Sequence, residues 1–473
     1  MSFETVIGLE VHVELLSETK VFCTCKSEFG GKPNTRICEV CTGMPGTLPR
    51  LNEKVVEFAV KTGLATDCEV TKITRFDRKN YFYPDLPKAY QISQLYLPIC
   101  RNGHVEIQTE NGKKIIGIHE IHIEEDAGKL IHTESGTLID YNRCGVPLLE
   151  IVTEPDFSDA DEVIAFLEAL KRILTYLGVS DCKMQEGSMR ADVNLSVRSA
   201  GSRELGTRTE MKNLNSFHDI ADAVKSEAAR QIALIKSGEA VIQQTRRWDA
   251  DMGESYAMRS KEAANDYRYF PEPDIPPIDI SESFINRINS ALPELPAAKK
   301  RRYINELGLS DYDASVLTND IYVVGFFESA LKDCSSPKEV ANWVLGEVLR
   351  LLKDSGTDSK SNPLKPEALV KIIEMVQSGK INRNTGKAVL EKAFYDGVDV
   401  ERYISENGLS LITDSDRIKA AVEAVIADNE KSVTDYKRGK TAALGYLVGQ
   451  TMKALGGRAD ANEIQKLLRE MLD

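Results

Sequence analysis

Apolar and polar side chains alternate along residues 6–15, with Leu9, Val11, Val13 and Leu15 on one side of an extended chain and Glu10, His12 and Glu14 on the other. The same period of two runs through residues 189–198, where Ala191, Val193, Leu195 and Val197 oppose Arg190, Asp192, Asn194, Ser196 and Arg198. In residues 121–126 it sets Ile121, Ile123 and Glu125 against His122, Glu124 and Asp126, and residues 148–152 are apolar except for Glu150. Each stretch predicts a β-strand with at least one buried face. A helical period takes over in residues 157–177, where Val163, Phe166, Leu167, Leu170, Ile173, Leu174 and Leu177 share a stripe. Asp156 or Ser158 can cap its start, and Gly178 ends it. A second helix is expected from His218 to Lys236, stopping near Gly238. Residues 270–277 hold four prolines, which remove ladder donors and predict an extended loop rather than a central strand. Beyond Pro293-Glu294-Leu295-Pro296 nearly every segment is helical in period, with a surface loop at residues 354–366 and a break at 406–416. A chain of 473 residues suggests about three domains. The expected fold is α+β and multidomain, with a mixed or antiparallel sheet and helices in residues 1–292, an all-α domain in 293–406 and a small all-α tail in 407–473.

Glu10, Glu125 and Glu150 sit in or against apolar strand sequence. A buried, ionised carboxylate without a partner costs several kcal/mol, so these acids pair with Arg or Lys, face solvent, or converge on a cation. Glu125 shares the more apolar side of its strand and needs a partner most. The face of residues 189–198, half acidic and half cationic, suits a nucleotide with its magnesium, or equally a solvated face of ordinary ion pairs.

Cys23, Cys25, Cys38 and Cys41 form Cys-x-Cys, twelve residues, then Cys-x-x-Cys, a spacing that can close a tetrahedral zinc site with no open position. Unligated thiols are the alternative. Nine cysteines without a secretion signal fit reduced thiols in a cytoplasmic protein, and no apolar run reaches the ~20 residues of a membrane span. The net charge of −13 argues against a general coat for nucleic acid, although residues 431–473 carry eight Lys and Arg against five Asp and Glu. Gly439-Lys440-Thr441 imitates the end of a P-loop, but Thr434 replaces its first glycine. No Gly-x-Gly-x-x-Gly or Gly-x-Ser-x-Gly motif is present. Cations and aromatics interleave in residues 77–85, 245–249 and 258–270, which tilts the reading towards a phosphate-bearing ligand.

Several of these segments carry a resemblance. Val6-Ile7-Gly8-Leu9-Glu10-Val11-His12-Val13-Glu14-Leu15, residues 77–85, Glu124-Glu125-Asp126-Ala127-Gly128-Lys129, Leu149-Glu150-Ile151-Val152-Thr153-Glu154-Pro155-Asp156, Lys212-Asn213-Leu214-Asn215-Ser216-Phe217 and residues 266–274 resemble the B subunit of the bacterial aspartyl/glutamyl-tRNA amidotransferases. The likeness resumes at Asp435-Tyr436-Lys437-Arg438-Gly439-Lys440 and Leu447-Val448-Gly449-Gln450. It implies a cradle-shaped N-terminal domain with kinase and transamidase activity, a helical domain and a tail that grips tRNA. ATP would phosphorylate the side-chain carboxylate of Glu or Asp mischarged on the tRNA for Gln or Asn, and ammonia from a glutaminase A subunit would displace the phosphate, with a small C subunit tying A and B together. Carried over by position, Glu10, His12, Glu125 and Glu150 would surround magnesium, and Lys79 and Arg143 would steady the acyl phosphate's developing charge. Arg190, Asp192, Asn194, Glu210 and Lys212 would form the ATP pocket, the four cysteines would hold zinc, and Lys437, Arg438 and Lys440 would meet tRNA. The competing readings are a non-catalytic tRNA-binding scaffold and a metal-dependent phosphohydrolase that acts alone.

Overall fold

A computed structural model describes residues 2–258, 267–412 and 414–472. Arg259, Ser260, Lys261 and Asp266, part of the third cationic and aromatic stretch, lie outside the described residues. The chain divides into two compact units, Met1–Pro296 and Ala297–Asp473.

In chain order the strands of the first unit are β1 (Phe3–Glu14), β2 (Glu69–Val70), β3 (Ile73–Thr74), β4 (Asp77–Asn80), β5 (Tyr90–Ser93), β6 (Cys100–Thr109), β7 (Gly112–Glu125) and β8 (Lys129–Thr133). They continue with β9 (Gly136–Asp140), β10 (Pro147–Thr153), β11 (Met189–Ser199), β12 (Thr209–Lys212), β13 (Gln244–Asp249), β14 (Glu254–Ala257), β15 (Phe270–Pro271) and β16 (Ile278–Asp279). Nine of them form one sheet in the order β14, β13, β12, β11, β1, β10, β7, β6, β2. It is mixed, since β12 and β13 run parallel while β1 is antiparallel to both β10 and β11. A three-stranded sheet of β15, β4 and β5 lies on the β7 side, where β5 contacts β7.

The period of two decides what each face of the large sheet does. Ile7, Leu9, Val11 and Val13 of β1 are buried with Ile121, Ile123, Leu149, Ile151, Ala191, Val193, Leu195 and Met211 in a single apolar core. Helices α1 (Glu53–Ala65), α2 (Ala160–Tyr176) and α3 (Phe217–Ser237) cover that face, α1 against β6 and β7, α2 against β6, and α3 against β11. Burying the apolar stripe of α2, including Val163, Phe166, Leu167, Leu170 and Leu174, contributes roughly 1.5–3 kcal/mol for each large side chain.

Helix α2 starts three residues later than its apolar stripe suggests. Phe157 exchanges backbone hydrogen bonds with Ile7 at 3.0 and 3.2 Å, which keeps residues 157–158 extended and leaves Asp159 as the N-cap in place of Asp156 or Ser158. For α3, Ser216 caps the Asp219 amide, and Gly238 ends the helix at φ 82°, a left-handed conformation that glycine adopts without a Cβ penalty. The proline-rich segment is not wholly a loop. Phe270 and Pro271 form an edge strand against Arg78 and Asp77, a position where proline's missing donor costs no ladder bond.

The second unit is helical from Pro296–Asn305 to Ala461–Leu472. It holds two apolar clusters, one around Tyr303, Phe327 and Trp343, the other around Ile418, Leu447 and Leu468. They adjoin at residues 411–412, where Leu411 donates to the Lys380 carbonyl at 2.7 Å and Ile412 to that of Arg458 at 2.6 Å.

Candidate active site

The polar face of the large sheet is assembled by register. On β1, His12 stands opposite Glu150 of β10 on one side and Arg190 of β11 on the other. Glu150 in turn faces His122 of β7, Glu10 faces Asp192, and Asn194 faces Glu210 of β12. Directly opposed residues in an antiparallel pair point to the same side. Five strands therefore deliver their charged side chains to one surface while the intervening residues fill the core.

Two clusters result. In the first, His12 Nε2 lies 3.4 Å from Glu150 Oε2 and 3.5 Å from Glu124 Oε1. His122 lies between Glu150 and one further acid, with Nε2 3.0 Å from Glu150 and Nδ1 3.3 Å from Glu120. Burial disfavours both charged imidazoles, yet the carboxylates around them outweigh it. The pKa of His12 is raised by Glu150, Glu124 and Asp192, and that of His122 is pushed up to about 10. Glu150 is also penalised by burial, but His122 and His12 hold it well below the usual carboxylate range. Glu124 moves the other way, raised by burial and by the charge of Glu150. One ligand atom each from His12, Glu124 and Glu150 lies within 4.8 Å of the others, so the trio can hold a metal ion.

The second cluster is Glu10, Asp192 and Glu210, whose oxygens also lie within 4.8 Å of one another. Lys212 Nζ sits among them, paired with Asp192 and 2.8 Å from Glu210. Asn194 donates to Glu10 at 2.9 Å, and Thr245 to Glu210 at 2.7 Å. Burial, then the charge of Glu150, raises the Glu10 pKa, which shows that the two clusters are electrostatically linked.

Glu125 departs from the set that the resemblance implies. It lies on the opposite, apolar face, as the alternation of residues 121–126 requires, and is nearly fully buried. There it pairs with Lys88 and accepts a hydrogen bond from the Ile92 amide at 2.9 Å. Glu124, one residue earlier, occupies the face beside His12. Parity alone could have found it, along with His122. No sequence signal marked Lys88, which lies 37 residues from its partner.

At one end of the polar face, Arg190 Nη2 lies 2.9 Å from Asp126, and Arg143 is 3.4 Å from the same carboxylate while donating to the Ala127 and Gly128 carbonyls. Burial and Asp126 push the nearby Glu14 up to about 7. Lys79 lies over the Tyr267 ring, 5.1 Å from its centroid, and Glu124 overcomes the penalty of burial to raise its pKa.

The Sγ atoms of Cys23, Cys25, Cys38 and Cys41 converge within 4.8 Å of one another and can hold a metal ion. The Cys38 amide donates to Cys41 Sγ at 3.2 Å, and fully buried Lys20 places Nζ 3.7 Å from the same sulfur. A hydrogen bond from Cys23 is the largest cause that brings the Cys41 thiol down to about 5, with Lys20 adding to it. In the helical unit, Lys437, Arg438 and Lys440 lie at the end of the Glu430–Lys437 helix and just beyond it, and Lys440 pairs with Asp435 at 3.0 Å.

A family model described as the GatB/GatE catalytic domain matches residues 5–286, and a second, described as the GatB domain, matches residues 325–472. The chain is 56% identical over 472 residues to the B subunit of the aspartyl/glutamyl-tRNA(Asn/Gln) amidotransferase of Lachnoclostridium phytofermentans, covering 99% of each. It is 55% identical to the protein of that name from Agathobacter rectalis, and 50% identical to that from Thermoanaerobacter pseudethanolicus, covering the whole of each chain in both cases. Among the described residues, no helix is long and apolar enough to cross a membrane.

Proposed function

The chain belongs to the GatB/GatE family, and from that membership we propose that it uses ATP to phosphorylate the side-chain carboxylate of Glu or Asp mischarged on the tRNA for Gln or Asn. Ammonia made by a partner glutaminase, the A subunit, then displaces the phosphate to give the amide, within a complex completed by a small C subunit. The observation that carries this reading is the placing of His12, Glu124 and Glu150 beside Glu10, Asp192, Glu210 and Lys212 on one sheet face.

A divalent cation fits this donor set, because Glu124 is only 3% exposed among other carboxylates and has imidazoles as its nearest counter-charge. Mg²⁺ prefers oxygen donors, so Glu124 and Glu150 suit it better than His12, whereas Mn²⁺ accepts imidazole as well. When bound, the cation would offset phosphate charge and help align the transferred group. The remaining work falls to the chain itself. Lys212, pinned by Asp192 and Glu210, presents an ammonium to phosphate oxygens, and Asn194 orients Glu10. Arg190 keeps a second cation at the other end of the face. Lys79 offers positive charge to the substrate carboxylate from the side of Glu124 and Glu150.

A labelled-ATP experiment on the assembled complex separates this reading from a passive tRNA scaffold. Phosphate release that requires mischarged tRNA is expected; release without tRNA would favour an independent phosphohydrolase, and none under any condition would leave the scaffold. The four cysteines are proposed to hold structural zinc, and Cys38→Ser or Cys41→Ser should lose the metal on dialysis, with a lowered melting temperature. Metal content unchanged in both variants would remove that assignment.

For the tail, Lys437→Ala, Arg438→Ala and Lys440→Ala together should weaken tRNA binding. The slope of log K against log salt should fall by about 0.9 for each phosphate no longer neutralised, in the duplex limit. An unaltered slope would mean that these cations face solvent only.

A further inference from the structure

Strand β4 and the segment that enters β15 build an aromatic wall beside the first acidic cluster. The Asn80 amide donates to the Tyr267 carbonyl at 3.0 Å and its side chain to the Arg268 carbonyl at 2.8 Å, which fastens the segment against β4. Tyr81 meets Tyr267, and Tyr267 meets Tyr269, with ring centroids 6.0 Å apart in each case and interplanar angles of 73° and 74°. Lys79 Nζ reaches over the middle ring.

These rings stand outside the apolar core of the first unit. All three are half-buried, and none belongs to the apolar core or to the side chains packed against it. No pair is stacked in parallel; each edge-to-face contact takes a face of only one of its two rings, and Lys79 lies over Tyr267, so the chain of rings keeps other faces open to a base. Their location is specific: Tyr269 and Lys79 both feel the charges of Glu124 and Glu150, and Tyr81 that of Glu124.

The order of strands sets this wall apart from the Lys212 cluster. Lys79 and the tyrosines adjoin the β10 and β7 end of the polar face, whereas Asp192, Asn194, Glu210 and Lys212 stand on β11 and β12 beyond β1. The acids of the first cluster lie between them. Two purine-bearing substrates must reach that centre in the reaction proposed above, and their bases need separate seats.

We infer that Tyr81, Tyr267 and Tyr269, with Lys79 among them, seat the terminal adenosine of the aminoacylated tRNA, while the Lys212 side receives ATP. An aromatic wall offers stacking surface to a base, and an ammonium among the rings offsets the negative charge of the adjoining phosphate or of the attached side chain. This rests on the proposed reaction and adds the direction from which its acceptor arrives.

The test compares Tyr267→Leu and Tyr267→Phe in the complete complex. In the Leu variant the KM for mischarged tRNA should rise roughly tenfold, the scale of one lost base stack, while the KM for ATP stays within about twofold. The Phe variant keeps its ring and should stay close to the parent. Calorimetry with a stable 3′-glutamylamido-3′-deoxyadenosine probe should show the same loss of affinity in the Leu variant without turnover. A rise in the KM for ATP, or unchanged tRNA and probe binding, would overturn the assignment. If the parent complex makes no amide at all, the reaction is wrong, and probe binding by the parent and the Leu variant still decides the seat.

Discussion

Glu150→Gln should lower tRNA-dependent ATP consumption and amide formation at least about 10²–10³-fold, on the scale of removing one preorganised charge at a reacting centre. Glu150 is the acid shared by both imidazoles, 3.4 Å from His12 and 3.0 Å from His122. Its loss would leave buried His122 and partly buried His12 with fewer counter-charges and would take away one of three donors to a cation. Glutamine hydrolysis should largely survive, because the proposed reaction places it on another chain. The two rates, measured on the same reconstituted complex, check this, and full amide formation by the variant would dismantle the catalytic reading of the sheet face.

The second large effect concerns stability. Lys88→Met leaves the Glu125 carboxylate buried and unpaired, and breaking a buried ion pair in this way costs about 3–5 kcal/mol. Denaturant unfolding of the chain should show a loss of that order. Adding Glu125→Leu to Lys88→Met should recover much of it, since an apolar pair of similar volume needs no counter-charge. Glu124→Gln provides the contrast. It should reduce amide formation with less loss of stability, because the nearest counter-charges of Glu124, the His12 and His122 imidazoles at 3.5 and 4.0 Å, lie farther from it than Lys88 does from Glu125, and burial already raises its pKa. A Glu125→Gln variant that kept its stability but lost all ATP use would reverse this division and return Glu125 to the catalytic set.

Adjacent residues thus divide between the polar face and the apolar core. Residues 121–126 alternate, so Glu125 must share a side with Ile121 and Ile123, and its burial follows from that parity. The resemblance placed it with Glu10, His12 and Glu150, whereas the strand geometry sets Glu124 beside His12 and Glu150 and gathers Glu10 with Asp192 and Glu210. Similarly, the stripe of α2 was legible from its apolar spacing, but its starting residue depended on Phe157 pairing with Ile7, about 150 residues away.

Local pattern by itself determined that residues 6–15, 121–126, 148–152 and 189–198 would be extended and that helices would cover most of 157–177 and 218–236, which residues of each of those strands would share a side, and that four cysteines could gather in one short segment. Those properties depend on intervals of two, three or four residues and on turn chemistry. Only the tertiary structure decided that β1 lies between β10 and β11, so that His12 meets both Glu150 and Arg190, and that Lys88 answers Glu125. The physical reason is that a period names a face but not a neighbour. Which strands pair, and in which register, follows from burying every apolar face against the same helices at once.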